Sequence, residues 1–167
     1  DEKEVSSVED VIAGAKDIIA EMVSDEAEGR KWIRRETHNK GIIESTVKDA
    51  EKDEKKVYEM YYAYEEPVSK IVPHRTLALN RGEKEDILRV NIKPDVDFIL
   101  RYLNKKWIRD DRSFAASVVE EAIEDGYKRL IQPSVERDIR NELTEKGEEQ
   151  AIHIFSENLR NLLLQPP

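Results

Sequence analysis

From Ser134 to Leu164 nothing interrupts a helical pattern, and that run constrains the fold more than any other feature of the sequence. Val135, Ile139, Leu143, Gly147 and Ala151 recur every four residues. Ile152, Phe155, Leu159, Leu162 and Leu163 then widen the stripe, and the first breaker is Pro166. Ser134 has the chemistry of an N-cap, and Glu136 complements the positive end of the helix. At 1.5 Å per residue the rod is roughly 45 Å long. A rod of that length spans more than one domain, and its leucine-rich end calls for a partner surface beyond residues 1–133.

The remaining chain reads as short helices. Ser6 and Glu9 have capping-box spacing ahead of a stripe of Val8, Val11, Ile12, Ala15, Ile18, Ile19, Met22 and Val23. Ser24 and Asp25 are placed to cap a second helix ending at Gly41, and Trp32 would tuck between the two arms of the hairpin. Residues 42–66 stay open. Ile42, Ile43 and Val47 fit a short strand or a poor helix, and the tyrosines at 58, 61, 62 and 64 fit either period. Pro73 starts a helix that Gly82 stops; Ile87 to Ile92 reads as one short β piece. Asp95 caps a helix burying Val96, Ile99, Leu100, Leu103 and Trp107. Another runs from Ser113 to about Leu130, burying Phe114, Val118, Ala122 and Tyr127.

The fold class is therefore mainly α: an elongated helical array with a long C-terminal helix and at most a short β element near 87–92. Three stretches follow. Residues 1–69 form a hairpin and connecting segment, 70–133 a basic helical middle, and 134–167 the long helix leading into a further domain. The chain opens at Asp1 and stops at Pro167, ends that read as cuts in a larger protein.

Composition narrows the function classes. Hydrophobic and charged residues are nearly balanced, at 38% and 39%, which suits a thin core. With no cysteine, disulfides and thiolate zinc sites are excluded and a cytoplasmic setting is favoured. No apolar run approaches the roughly 20 residues that span a bilayer. The net charge of −9 is uneven, at −8 over 1–69, +4 over 70–112 and −5 over 113–167. The basic middle is where a phosphate backbone would dock, through Arg75, Arg81, Lys84 and Arg89, with His74 at the same helix start; the plainer reading is a solvated face.

Catalytic chemistry leaves no trace in the motifs. His38, His74 and His153 lie far apart, and there is no glycine-rich phosphate loop or nucleophile elbow. Acidic pairs such as Asp110-Asp111 and Glu120-Glu121 suit solvated faces. The tyrosines resemble a stacking platform for bases, but Glu65 and Glu66 beside them would repel a nucleic-acid backbone, so packing is favoured. No catalytic residue, metal ligand or cofactor is assigned.

Three segments carry a family resemblance. The stretch Glu66-Pro-Val-Ser-Lys-Ile-Val-Pro-His-Arg-Thr-Leu-Ala-Leu-Asn-Arg-Gly-Glu-Lys-Glu85, with Ala13-Gly-Ala-Lys-Asp-Ile-Ile-Ala-Glu21 and Asn158-Leu-Arg-Asn-Leu-Leu-Leu164, resembles the bacterial transcription accessory proteins of the Tex family. Val72-Pro73 stands where the family often has Pro-Ser, which removes a hydroxyl cap. The resemblance implies a multi-domain, nucleic-acid-binding parent without known catalysis. In it an RNase-H-like (YqgF-type) domain, helix-hairpin-helix repeats and a C-terminal OB-fold RNA-binding domain follow this helical region. The implied partners are nucleic acid, mainly through those other domains, and the adjacent RNase-H-like domain. Two functions are then expected: a non-catalytic scaffold with auxiliary phosphate contacts, or a module docking on the transcription machinery.

Overall fold

The computed structural model describes residues 2–167, with side chains from Ser6 onward. It resolves into two compact units, each made of two chain segments: residues 1–37 with 94–137, and residues 38–93 with 138–167. The expected divisions at 69/70 and 133/134 each fall inside one of these units.

The first unit is helical. It holds α1 (Glu2–Asp25), most of α2 (Ala27–Lys40), α4 (Val96–Trp107), α5 (Phe114–Gly126) and the start of α6 (Gln132–Leu163). Helix α1 packs on α5, and small residues let the two backbones approach: a Cβ on Gly126 would lie 3.0 Å from Ala20 Cα. Ala20 and Val23 are buried there, while Val8, Val11, Ile18 and Met22 face outward, so only part of the expected apolar stripe is core. Ser6 lies inside α1 rather than at its cap. The start of α2 is capped by Glu26, whose carboxylate accepts from the Gly29 amide at 2.7 Å. Ser24 instead accepts from Arg30 at 2.9 Å. In α4, Asp95 caps as expected by accepting from Phe98 N, and Ile99 and Leu103 are buried.

A different arrangement replaces the expected break before Ser134. Helix α5 passes through one π turn, Tyr127–Ile131, straight into α6. The Gln132 amide donates to Tyr127 O, five residues back, and the widened turn absorbs Pro133, which has no amide to donate. Ser134 is thus a helix-interior residue whose hydroxyl accepts from Arg30 at 3.1 Å. Tyr127, Ile131, Val135 and Ile139 are buried, but Phe114 at the far end is 78% exposed.

The second unit contains the β structure. The sheet has three strands rather than the single short one expected: β1 (Ile42–Val47), β2 (Ala63–Pro67) and β3 (Leu88–Lys93), ordered β2-β1-β3 and antiparallel throughout. Its inward face carries Ile43, Ser45, Leu88, Val90 and Ile92. The outward face carries Glu44, Glu65, Arg89 and Lys93, where Lys93 bridges Glu44 and Glu65 at 2.7 and 3.4 Å. Helix α3 (Pro73–Lys84) packs on the inward face. It starts on Pro73 with no side-chain cap, and Gly82 does not stop it: this glycine lies inside the helix because a Cβ there would meet Leu88. No described glycine has a positive φ, so neither Gly41 nor Gly82 is a left-handed cap; Lys56 and Asp86 take that conformation.

Helix α6 joins this unit through a polar cluster. Arg140 donates to Asn80 Oδ1 at 2.9 Å, to Glu83 at 2.8 Å and to Val90 O at 3.4 Å; Asn80 donates to Thr144 at 2.8 Å. Gly147 lets α6 approach α3, where a Cβ would lie 3.1 Å from Leu77. Beyond it every residue is exposed, including Ile152, Phe155, Leu159, Leu162 and Leu163.

Candidate functional site

The five residues singled out in the sequence all lie in the second unit, and the structure does not bring them together. Arg75 is committed to the sheet. Its guanidinium donates to Glu66 at 3.1 Å and to the Tyr64 hydroxyl at 3.3 Å, and that hydroxyl donates in turn to Glu66. The Glu66 carboxylate raises the pKa of Arg75. Burial, and then the same carboxylate, push Tyr64 up to about 12. Arg89 is exposed on the outward face of β3, on the other side of the sheet from α3. Only His74, Arg81 and Lys84 share a surface: all are exposed on α3, within roughly 80° of one another at 3.6 residues per turn.

Two clefts adjoin α3 in this unit. One, of about 390 Å³, runs between α3 and α6 and is lined mainly by apolar groups, Pro73, Leu77, Ala151, Ile154 and Phe155, with His74 at its side. The other, of about 380 Å³, mixes charges of both signs, with Lys52, Asp53, Arg81 and Glu85 around Tyr58. One of its acids, Asp53, is occupied by the fold. Asp53 accepts from the amides of Val57 and Tyr58 at 2.9 and 3.0 Å and from the Tyr62 hydroxyl at 2.7 Å, folding the β1–β2 connection onto itself. Tyr58 and Tyr61 are buried and Tyr61 meets Tyr64 edge-on at 5.3 Å, so these rings pack rather than form an open platform.

A second concentration of positive charge lies in the first unit, assembled from segments distant in sequence. Trp32 of α2 stacks on Tyr102 of α4 at 3.7 Å and touches Phe98 at 5.7 Å, rather than α1 as expected. Lys106 reaches Glu26 at 2.8 Å, so α2 and α4 run antiparallel. Beside Trp32 lie Lys31 and Arg35, and beside Tyr102 lie Arg101 and Lys105, all four exposed. The i,i+4 spacing of Lys31 with Arg35 and of Arg101 with Lys105 is the signal that reveals this face.

Among the described residues no three or more His, Asp or Glu come together as a metal site, and no helix is long and apolar enough to cross a membrane. The arrangement offers charge and shape. A family model described as Tex central region-like matches residues 1–155. The chain belongs to the Tex central region-like family.

Relatives match over nine tenths or more of the chain. An uncharacterised protein of Bacillus subtilis, YdcI, is 61% identical, covering 100% of this chain and 23% of its own. An S1 RNA-binding domain-containing protein of Pongo abelii is 32% identical over 100% of this chain and 18% of its own. The transcriptional accessory protein Tex of Neisseria gonorrhoeae is 28% identical over 92% and 21%. This Tex-like central region thus spans about a fifth of the length of its curated relatives. The resemblance carried by the segments around Ala13, His74 and Asn158 identified the family correctly, and the mainly helical class with a long last helix holds.

Proposed function

We propose that this chain is a non-catalytic, cytoplasmic scaffold region of a nucleic-acid-binding transcription accessory protein, with α6 setting the spacing between neighbouring domains. One observation carries the reading: α6 is 32 residues long, yet none of its residues after Gly147 is buried, leaving Phe155, Leu159, Leu162 and Leu163 as an apolar face for a following domain. The names of relatives, one an S1 RNA-binding domain-containing protein and one a transcriptional accessory protein, supply the nucleic-acid context. The RNase-H-like domain expected next in the longer protein is the natural occupant of that face.

Arg81 and Lys84 are the auxiliary phosphate contacts on α3, with His74 behind them; their contribution is electrostatic and independent of base sequence. Arg75 is spent on Glu66 and Arg89 faces elsewhere. In the full-length protein, Arg81→Glu with Lys84→Glu weakens binding and lowers its dependence on salt. Unchanged affinity across a salt series removes the α3 contacts but not the scaffold. A second reading, docking on the transcription machinery, is favoured by the outward row Val8, Val11, Ile18 and Met22 on α1. A pull-down beside a gel shift, both with this chain alone, separates the two.

A further inference from the structure

The α2–α4 face of the first unit combines three properties found together nowhere else among the described residues. It is cationic in a chain of net charge −9. Among the described residues Lys31, Arg35 and Lys105 have no carboxylate partner, and Arg101 has the Phe98 ring, 5.9 Å below its guanidinium. It is also rigid, because Trp32, Tyr102 and Phe98 lock the two helices side by side under those four groups. Several cations elsewhere are consumed by the fold, as Arg75 is by Glu66, Arg140 by Glu83 and Lys48 by Asp86. Holding four cations together on one platform, none of them paired directly with a carboxylate, is unfavourable for folding, so their arrangement calls for an anionic partner.

We infer that Lys31, Arg35, Arg101 and Lys105 form a docking face for the phosphates of a single nucleic-acid strand, separate from the α3 residues. The inference rests on the reading that the parent protein handles nucleic acid. Along each helix the paired cations are four residues, about 6 Å, apart, giving two short parallel rows of charge. Such rows suit a repeating anion better than a lone one. Long flexible side chains reach phosphates without reading bases, so recognition is independent of sequence. Glu28 and Asp97, exposed on the same two helices, bound the face with negative charge.

The test uses this chain, a fluorescein-labelled 20-nucleotide RNA and fluorescence anisotropy over a salt series. The variant Lys31→Gln, Arg35→Gln, Arg101→Gln, Lys105→Gln loses at least tenfold in affinity at low salt. Its slope of log K against log salt falls by about 0.7 for each contact removed. Because all four positions are exposed, circular dichroism and melting temperature stay as in the parent. The charge-keeping variant Lys31→Arg, Lys105→Arg binds as the parent does. Binding by the glutamine variant within twofold of the parent overturns the inference, as does a parent chain that binds no RNA. Loss on Arg81→Glu with Lys84→Glu, and none in the glutamine variant, would keep the α3 contacts and reject this face. Tighter binding of poly-glutamate than of RNA, with the same sensitivity to the four substitutions, would assign the face to an acidic protein instead.

Discussion

Asp86 combines a left-handed backbone, φ 63°, with ion pairs to Lys48 and Lys52, the latter at 2.8 Å. The two ammonium groups hold its carboxyl down to about 2. A carboxylate with a depressed folded pKa stabilises the fold fully above its unfolded pKa, near 4, and that contribution disappears as pH falls from about 4 towards 2. Asn tolerates the left-handed conformation, so Asp86→Asn isolates the charge. It lowers the melting temperature at pH 7 and matches the parent near pH 2; an equal deficit at both values would place the effect in the backbone. Glycines give a second contrast. Gly126→Ala presses on Ala20 and costs about 1–3 kcal/mol, whereas Gly14, with open space around it, gains about 0.5–1 kcal/mol on conversion to Ala, both read by denaturant titration. The sequence pattern ends two helices at Gly41 and Gly82, glycine being the residue best suited to a left-handed cap. The structure uses Asp86 and Lys56, because Gly82 is needed for close packing against Leu88.

Helices with a single buried stripe were legible from periodicity alone, as in α4, where Asp95 caps and Ile99 and Leu103 are buried. The strands were harder. The β2 segment, Ala63–Pro67, contains two glutamates and a proline, and its pairing with β1 comes from tertiary context: Tyr64 and Glu66 turn inward to Arg75, and Lys93 neutralises Glu65 and Glu44 outside. The junction of α5 and α6 misled for a different reason. Pro133-Ser134 has the chemistry of a helix start, and only the widened turn at Tyr127–Ile131 shows it to be an interior. An interior proline costs stability, so Pro133→Ala stabilises by on the order of 1 kcal/mol, the turn having absorbed part of the usual cost. A loss of stability would mean that residue 133 begins a helix. In the β1–β2 connection, Asp53→Ala speeds hydrogen exchange at Val57 and Tyr58, whose amides it accepts from. Unchanged protection there would assign the loop's order to Tyr58 and Tyr61 packing.

Across the whole molecule, each compact unit joins segments distant in sequence, 1–37 with 94–137 and 38–93 with 138–167, and no local pattern reveals such pairing. The same discontinuity keeps the cationic α2–α4 face out of any local sequence pattern. Lys31 and Arg35 lie in the acidic stretch 1–69 and meet Arg101 and Lys105 only through the Trp32–Tyr102 stack. The terminal turns of α6 were legible as a helix, and their lack of cover was foreseen from the leucines at its end. Since none of residues 157–167 is buried, stopping the chain after Ser156 leaves its melting temperature unchanged within about 1 °C. A larger drop would show that the leucines pack within this chain. The scaffold account depends most on α6 staying straight where nothing supports it. The chain has no cysteine, so Asn141→Cys and Asn161→Cys, both exposed, can be spin-labelled cleanly in one molecule. Electron–electron double resonance then gives a single narrow distance near 30 Å, twenty residues of helix. A broad distribution, or one centred well below that value, would contradict the account.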